Sequence, residues 1–139
     1  MLHLTGLTRL RWLRLSNTHF DDDGLRYLSK KMSGLESLWL DRTNVTDEGL
    51  DNVKALSNLE NIQLNGTRVT GAGLVYLTGL ARLKYVWLDN EQIDDEGLKN
   101  LQKLSSLEQL LIPGPQPSTA RRIELKRALP RPEIKEPHS

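Results

Sequence analysis

Few side chains in this 139-residue sequence have the type and spacing to do chemistry, and clustered acids come first. The run DDDG (21–24) places three carboxylates side by side. A calcium loop of the EF-hand kind needs acids at alternate positions and a Glu at the twelfth. Here Ser29, Lys30 and Lys31 follow instead, and TDEG and DDEG recur further on, so helix capping accounts for the acids and no metal is expected. His3, His19 and His138 share no register, and no nucleophile–base–acid spacing or Gly-x-Ser-x-Gly is present. GAGL (71–74) repeats the pattern of its neighbours and is no phosphate loop. The sequons NVT and NGT arise from the same pattern. With no cysteine, disulfides, Cys-based zinc sites and thiol catalysis are excluded. The sequence therefore offers no catalytic residue, no metal site and no cofactor.

Aromatic chemistry remains. In LESLWLDRT (35–43), Trp39, one of three tryptophans, stands between Leu38 and Leu40. On a strand, neighbouring side chains point to opposite faces. Either the leucines are core and the ring faces outward, or the reverse. The elements that would hold it decide.

Those elements repeat. Leu10, Leu35, Leu59, Leu83 and Leu107 open five blocks spaced 25, 24, 24 and 24 residues apart. Four begin LRWLRLSNTHFDDDGL, LESLWLDRTNVTDEGL, LENIQLNGTRVTGAGL and LKYVWLDNEQIDDEGL; the fifth starts LEQLLIPGPQPSTARRI and departs. Leu13/Leu15, Leu38/Leu40, Ile62/Leu64, Val86/Leu88 and Leu110/Ile112 alternate with period two, as in a short strand with one buried face. Asp21, Thr46, Thr70 and Asp94 then read as N-caps. Asp22, Asp23, Asp47, Glu48, Asp95 and Glu96 suit the first helical turn, where the helix dipole favours negative charge. Leu25/Leu28, Leu50/Val53, Leu74/Leu77 and Leu98/Leu101 follow at helical spacing. Each block is expected to be a strand, a turn and a short helix.

One such unit cannot bury its apolar face alone, so the units must stack. Strands stack about 4.8 Å apart and helices about 8–10 Å. The stack is thus expected to curve, an α/β solenoid with a parallel sheet on the concave face and short helices on the convex face. Gly24, Gly49, Gly73 and Gly97 would let adjacent helix starts approach. Thr18, Thr43 and Thr67 form a column whose hydroxyls would bond the next turn's backbone. Glu91 breaks that column, which predicts a looser interior near the C-terminal end.

The pattern L-x-x-L-x-L-x-x-T-x-V-T-D-x-G-L-x-x-L resembles the leucine-rich repeat family, over residues 4 to about 135. LKRALPRPEI (125–134) is similar to the closing segment of bacterial, planctomycete-type members, which ends Leu-Pro-x-Cys-x-Ile. Pro132 stands where that Cys would be, and Arg121-Arg122 replace the Gly-Leu of other blocks. The resemblance implies protein binding on the concave face.

Residues 1–9 read as a partial repeat or N-terminal cap helix, because LTGLTRL (4–10) matches LTGLARL (77–83). Truncation of a longer repeat protein would leave the strand around Trp12 as an open edge, inviting self-association. Repeats occupy 10–112, a capping helix and short strand 113–135, and a tail 136–139. Pro113, Pro115 and Pro117 interrupt the fifth turn, and Pro130 stops the helix expected from 118 to 129. No apolar run approaches the roughly 20 residues of a membrane span, and no secretory signal is visible, so a cytoplasmic location is expected. A formal net charge of +1 supplies no field to attract nucleic acid or an anionic membrane.

In register, Leu38 and Leu40 point into the wedge between strand and helix, so Trp39 faces out on the concave sheet. The outward columns are Trp12, Ser37, Asn61, Tyr85 and Gln109; Arg14, Trp39, Gln63, Trp87 and Leu111; and Ser16, Asp41, Asn65, Asp89 and Pro113. All three tryptophans fall there, and aromatic and Arg side chains dominate interface hot spots. The expected function is a non-enzymatic protein-interaction module. Trp12, Trp39, Tyr85 and Trp87 would be its anchors, with Arg14, Asp41, Arg42, Asn61, Gln63, Asn65, Asp89 and Asn90 orienting the partner. A carbohydrate-binding domain is the alternative, since rings stack on sugars and amides bond hydroxyls. A scaffold segment of a larger signalling or enzymatic protein is compatible with either. Asp41 and Asp89, about 10 Å apart by strand spacing, are too far apart to suggest a paired-carboxylate site.

Overall fold

The computed structural model describes residues 9–135 apart from 114 and 116. The expected opening segment up to residue 8 and the tail 136–139 lie outside the described residues. Among the described residues, six three-residue strands form one sheet in chain order: β1 (Trp12–Arg14), β2 (Ser37–Trp39), β3 (Asn61–Gln63), β4 (Tyr85–Trp87), β5 (Gln109–Leu111) and β6 (Glu133–Lys135). Every pairing is parallel and in block register, as in Leu13 with Leu38 and Leu38 with Ile62. The middle residues Leu38, Ile62, Val86 and Leu110 are fully buried, as are Leu40, Leu64 and Leu88. Burial of each contributes about 2 kcal/mol.

The outer wall is less uniform than the repeat implies. It comprises α1 (Asp22–Lys31), α2 (Asp47–Leu50) running into a 3₁₀ helix at Asp51–Ala55, and a purely 3₁₀ helix at Gly71–Leu77. Then come α3 (Asp95–Gln102) and α4 (Thr119–Ala128). The 3₁₀ segment at Gly71–Leu77 begins with Gly-Ala-Gly, a poor helix start with no acid to meet the dipole. By contrast α1 has Asp22 and Asp23 in its first turn and Lys30 and Lys31 in its last.

The caps divide in two. Asp21 and Asp94 accept from the backbone N–H of Gly24 and Gly97 at 3.1 and 2.8 Å. Thr46 and Thr70 hold the N-cap positions but make no side-chain cap bond. Their N–H and hydroxyl groups donate instead to a carboxylate of the preceding block. Thr46 meets Asp22 at 2.8 and 2.5 Å, and Thr70 meets Asp47 at 2.7 and 2.6 Å. A charged acceptor one block back fixes the direction of each threonine hydroxyl. This also explains a glycine: a Cβ on Gly73 would lie 2.1 Å from Asp47 Oδ1. Close approach between blocks is thus a carboxylate over a glycine.

One interior expectation is corrected. The hydroxyls of Thr18, Thr43 and Thr67 do not donate to the next turn's backbone. Each donates to the carbonyl three residues earlier, Leu15, Leu40 and Leu64, at 2.6 Å, the local bond open to a Thr in a tight turn. At Glu91 the next residue supplies polar bonds in place of the lost threonine, while the apolar interior beyond is less fully closed: Leu98 is half-buried where Leu25, Leu50 and Leu74 are fully buried. The Gln92 side-chain N–H group donates to the carbonyls of Leu64 (3.0 Å) and Val69 (2.9 Å), and its oxygen accepts from Asp89 N–H at 2.8 Å. Asn100 adds a bond to the Gly71 carbonyl at 2.9 Å.

At the far end, Ser118 caps α4 by accepting from Arg121 N–H at 3.2 Å, and Leu125 and Leu129 complete the core. Arg121, in place of the repeat glycine, turns inward. Its guanidinium donates to Asn90 Oδ1 at 3.3 Å and to the Ile93 carbonyl, and pairs with Glu124. Among the described residues no helix is long and apolar enough to cross a membrane.

Candidate functional site

The strands carry two outward residues each, and the sheet lines them up across blocks. The first column runs Trp12, Ser37, Asn61, Tyr85, Gln109 and Glu133; the second runs Arg14, Trp39, Gln63, Trp87, Leu111 and Lys135. Trp39 faces this side, as its buried neighbours Leu38 and Leu40 require, although it is half-buried. So are Asn61, Gln63, Tyr85 and Trp87. Trp12 stands clear, with 72% of its surface exposed. The Arg14 guanidinium lies over the Trp39 ring, 4.9 Å from its centroid, a cation–π pair across β1 and β2. Trp12, Leu13, Arg14, Ser37 and Trp39 line a cavity of about 340 Å³. Ser37 was outside the candidate set, although it shares a column with Trp12 and Asn61.

The third column behaves differently. Asp41 and Asn65 are buried, and Asp89 is half-buried. Ser16 Oγ donates to Asp41, whose carboxylate also lies 3.7 Å from the Arg42 guanidinium. Gly66 N–H donates to Asp89 Oδ2 at 2.7 Å. Arg42 Nε donates to Asn17 Oδ1 at 2.6 Å, and Asn90 receives Arg121. These groups brace the turns after the strands. Asn17, Arg42 and Gly66 there adopt positive φ of 62°, 57° and 76°, a left-handed conformation that glycine takes most cheaply. The structure thus brings together Trp12, Arg14, Trp39, Asn61, Gln63, Tyr85 and Trp87 as an open face. It spends Asp41, Arg42, Asn65, Asp89 and Asn90 largely on the turns.

Four buried polar atoms along this side have no hydrogen-bond partner among the described residues: Trp39 Nε1, Trp87 Nε1, Asn61 Oδ1 and Asn65 Oδ1. Leaving such a group unsatisfied costs about 1–3 kcal/mol. The acids of DDDG are all engaged: Asp21 caps, Asp22 receives Thr46, and Asp23 pairs with Arg26 at 3.3 Å. On the convex side, the hydrogen bond and charge of Asp51 raise the pKa of Lys54.

No family model and no curated protein sequence matches the chain. Solved structures do. The chain is similar to an internalin (inlF) of Listeria monocytogenes, with TM-score 0.51 and 16% identity over 98% of this chain and 50% of that one. A second, internalin C2 (inlC2) of the same species, aligns with TM-score 0.43 and 20% identity over 95% and 76%. The chain spans about half the length of the inlF protein it matches. At 16% identity the likeness to inlF is one of fold, and it agrees with the sheet order and block register above: the chain is an α/β solenoid of the leucine-rich repeat type.

Proposed function

We propose that the concave sheet face is a non-enzymatic binding surface for a protein partner, with Trp12, Trp39, Tyr85 and Trp87 as anchors. The observation that carries this is the placement of all three tryptophans on one face, with Trp12 exposed to 72%. An exposed ring continuous with half-buried ones on a single surface is unfavourable without something to cover it. Aromatic side chains and Arg are also the residue types that contribute most at protein interfaces. The sheet extends about 24 Å across its strands, enough to take part in an interface of about 800 Å² per partner.

A carbohydrate reading has one observation in its favour, the half-buried Gln63 amide between the Trp39 and Trp87 rings of the second column, where a sugar stacked on a ring would meet an amide. The two readings separate in one comparison. Wild-type protein and a Trp39→Ala/Trp87→Ala variant are used as bait in lysate of the source organism and on a glycan array. A protein captured by the wild type and lost by the folded variant supports the proposal. Glycan binding lost by the variant, with no protein captured, would replace it.

A further inference from the structure

Most charged groups of the concave side have a polar or charged partner within the chain. Asp41 is held by Ser16 and Arg42, and Asp89 by Gly66 N–H. Glu133 pairs with Lys135 at 3.1 Å. Just outside the face, Arg11 pairs with Glu36 at 2.6 Å. Arg14 is the exception: it lies on the Trp39 ring and makes no ion pair among the described residues.

A guanidinium laid on an indole keeps its N–H edge available, and that fork matches a carboxylate bidentately. The cavity beside it, about 340 Å³ and bordered by Trp12, Leu13 and Ser37, has room for an apolar side chain next to that carboxylate. The face itself is a trough. Each strand is three residues long, about 10 Å, while the six strands span about 24 Å. An extended chain advances about 3.4 Å per residue, so roughly seven residues traverse it.

Resting on the concave-face reading above, we propose that the partner enters as an extended acidic segment. It crosses the strands in single file, with a Glu or Asp carboxylate on Arg14 and an apolar neighbour between Trp12 and Trp39. A single arginine with a ring beneath it suits one carboxylate better than the clustered arginines that take a phosphate.

The test uses the full chain and a bead library of acetylated, amidated heptapeptides that includes phosphoserine. Wild type, Arg14→Gln and Trp39→Ala/Trp87→Ala are compared, each checked for native circular dichroism. The expected wild-type selection is Glu or Asp next to an apolar residue. Replacing that acid by its amide in the selected peptide should weaken wild-type binding about tenfold and binding to Arg14→Gln less than about threefold. Selection with no acid preference, or one that Arg14→Gln leaves intact, overturns the acidic assignment but preserves the protein-binding reading. Preference for phosphoserine over Glu overturns the carboxylate. No peptide enriched above the double variant overturns the extended segment, and the protein-binding reading is then decided by the lysate capture alone.

Discussion

Two junctions in the same stack are built from different functional groups. Between the second and third blocks, Thr70 gives its N–H and hydroxyl to the Asp47 carboxylate, which sits over Gly73. The first and second blocks join the same way through Asp22 and Thr46. Between the third and fourth blocks neither half of that arrangement survives. Asp94 replaces the threonine and caps its own helix, while Gly71 replaces the preceding acid. A Cβ on Gly71 would lie 1.8 Å from Asp94 Oδ1, so an acid there would meet another acid at close range. Two amides take over, with Gln92 reaching Leu64 and Val69 and Asn100 reaching Gly71. Backbone register survives such a change because the aliphatic layer is shared and only the polar bonds are exchanged.

That division can be broken in steps. Leu40→Ala attacks the shared layer, where the side chain is fully buried, and should cost about 2–5 kcal/mol in urea denaturation. Gln92→Ala strips the amide junction and leaves the buried carbonyls of Leu64 and Val69 without their donor. We expect a loss of about 3 kcal/mol by the same measurement. A loss below about 1 kcal/mol would show that the fourth block does not depend on that side chain. Asp47→Asn keeps the shape of the carboxylate junction and removes its charge. Because Thr70 is exposed and water can substitute, about 1 kcal/mol is expected. Trp39→Ala touches neither junction and should cost less than about 1 kcal/mol. A loss as large as that of Leu40→Ala would mean the ring belongs to the core.

The strands and their register were legible because Leu38-x-Leu40 and its equivalents recur at 24-residue spacing and bury the same face each time. The helix starts were legible as places but not as bonds. A threonine before two acids reads as a cap, and nothing local reveals that its partner lies in the block before. Gln92 escaped notice because the third block has Arg68, an exposed residue, at the same position. The first two columns of the face followed from alternation. The third did not, because alternation was carried past the last strand residue. Trp39 ends β2, so Asp41 already lies in the turn, where its carboxylate faces Ser16 and Arg42 rather than solvent.

Every strand pairs only with its neighbours in the chain, and no paired residues are more than 25 positions apart. Closing such short loops is fast, and folding can start at any junction and spread outward. The same locality lets the ends fray independently, since the strand of Trp12 shares no ladder with that of Trp87. A ligand lying across the trough would join blocks that the chain itself leaves uncoupled. Its arrival would register as slower amide hydrogen exchange at both ends together, turning a row of neighbours into one cooperative unit.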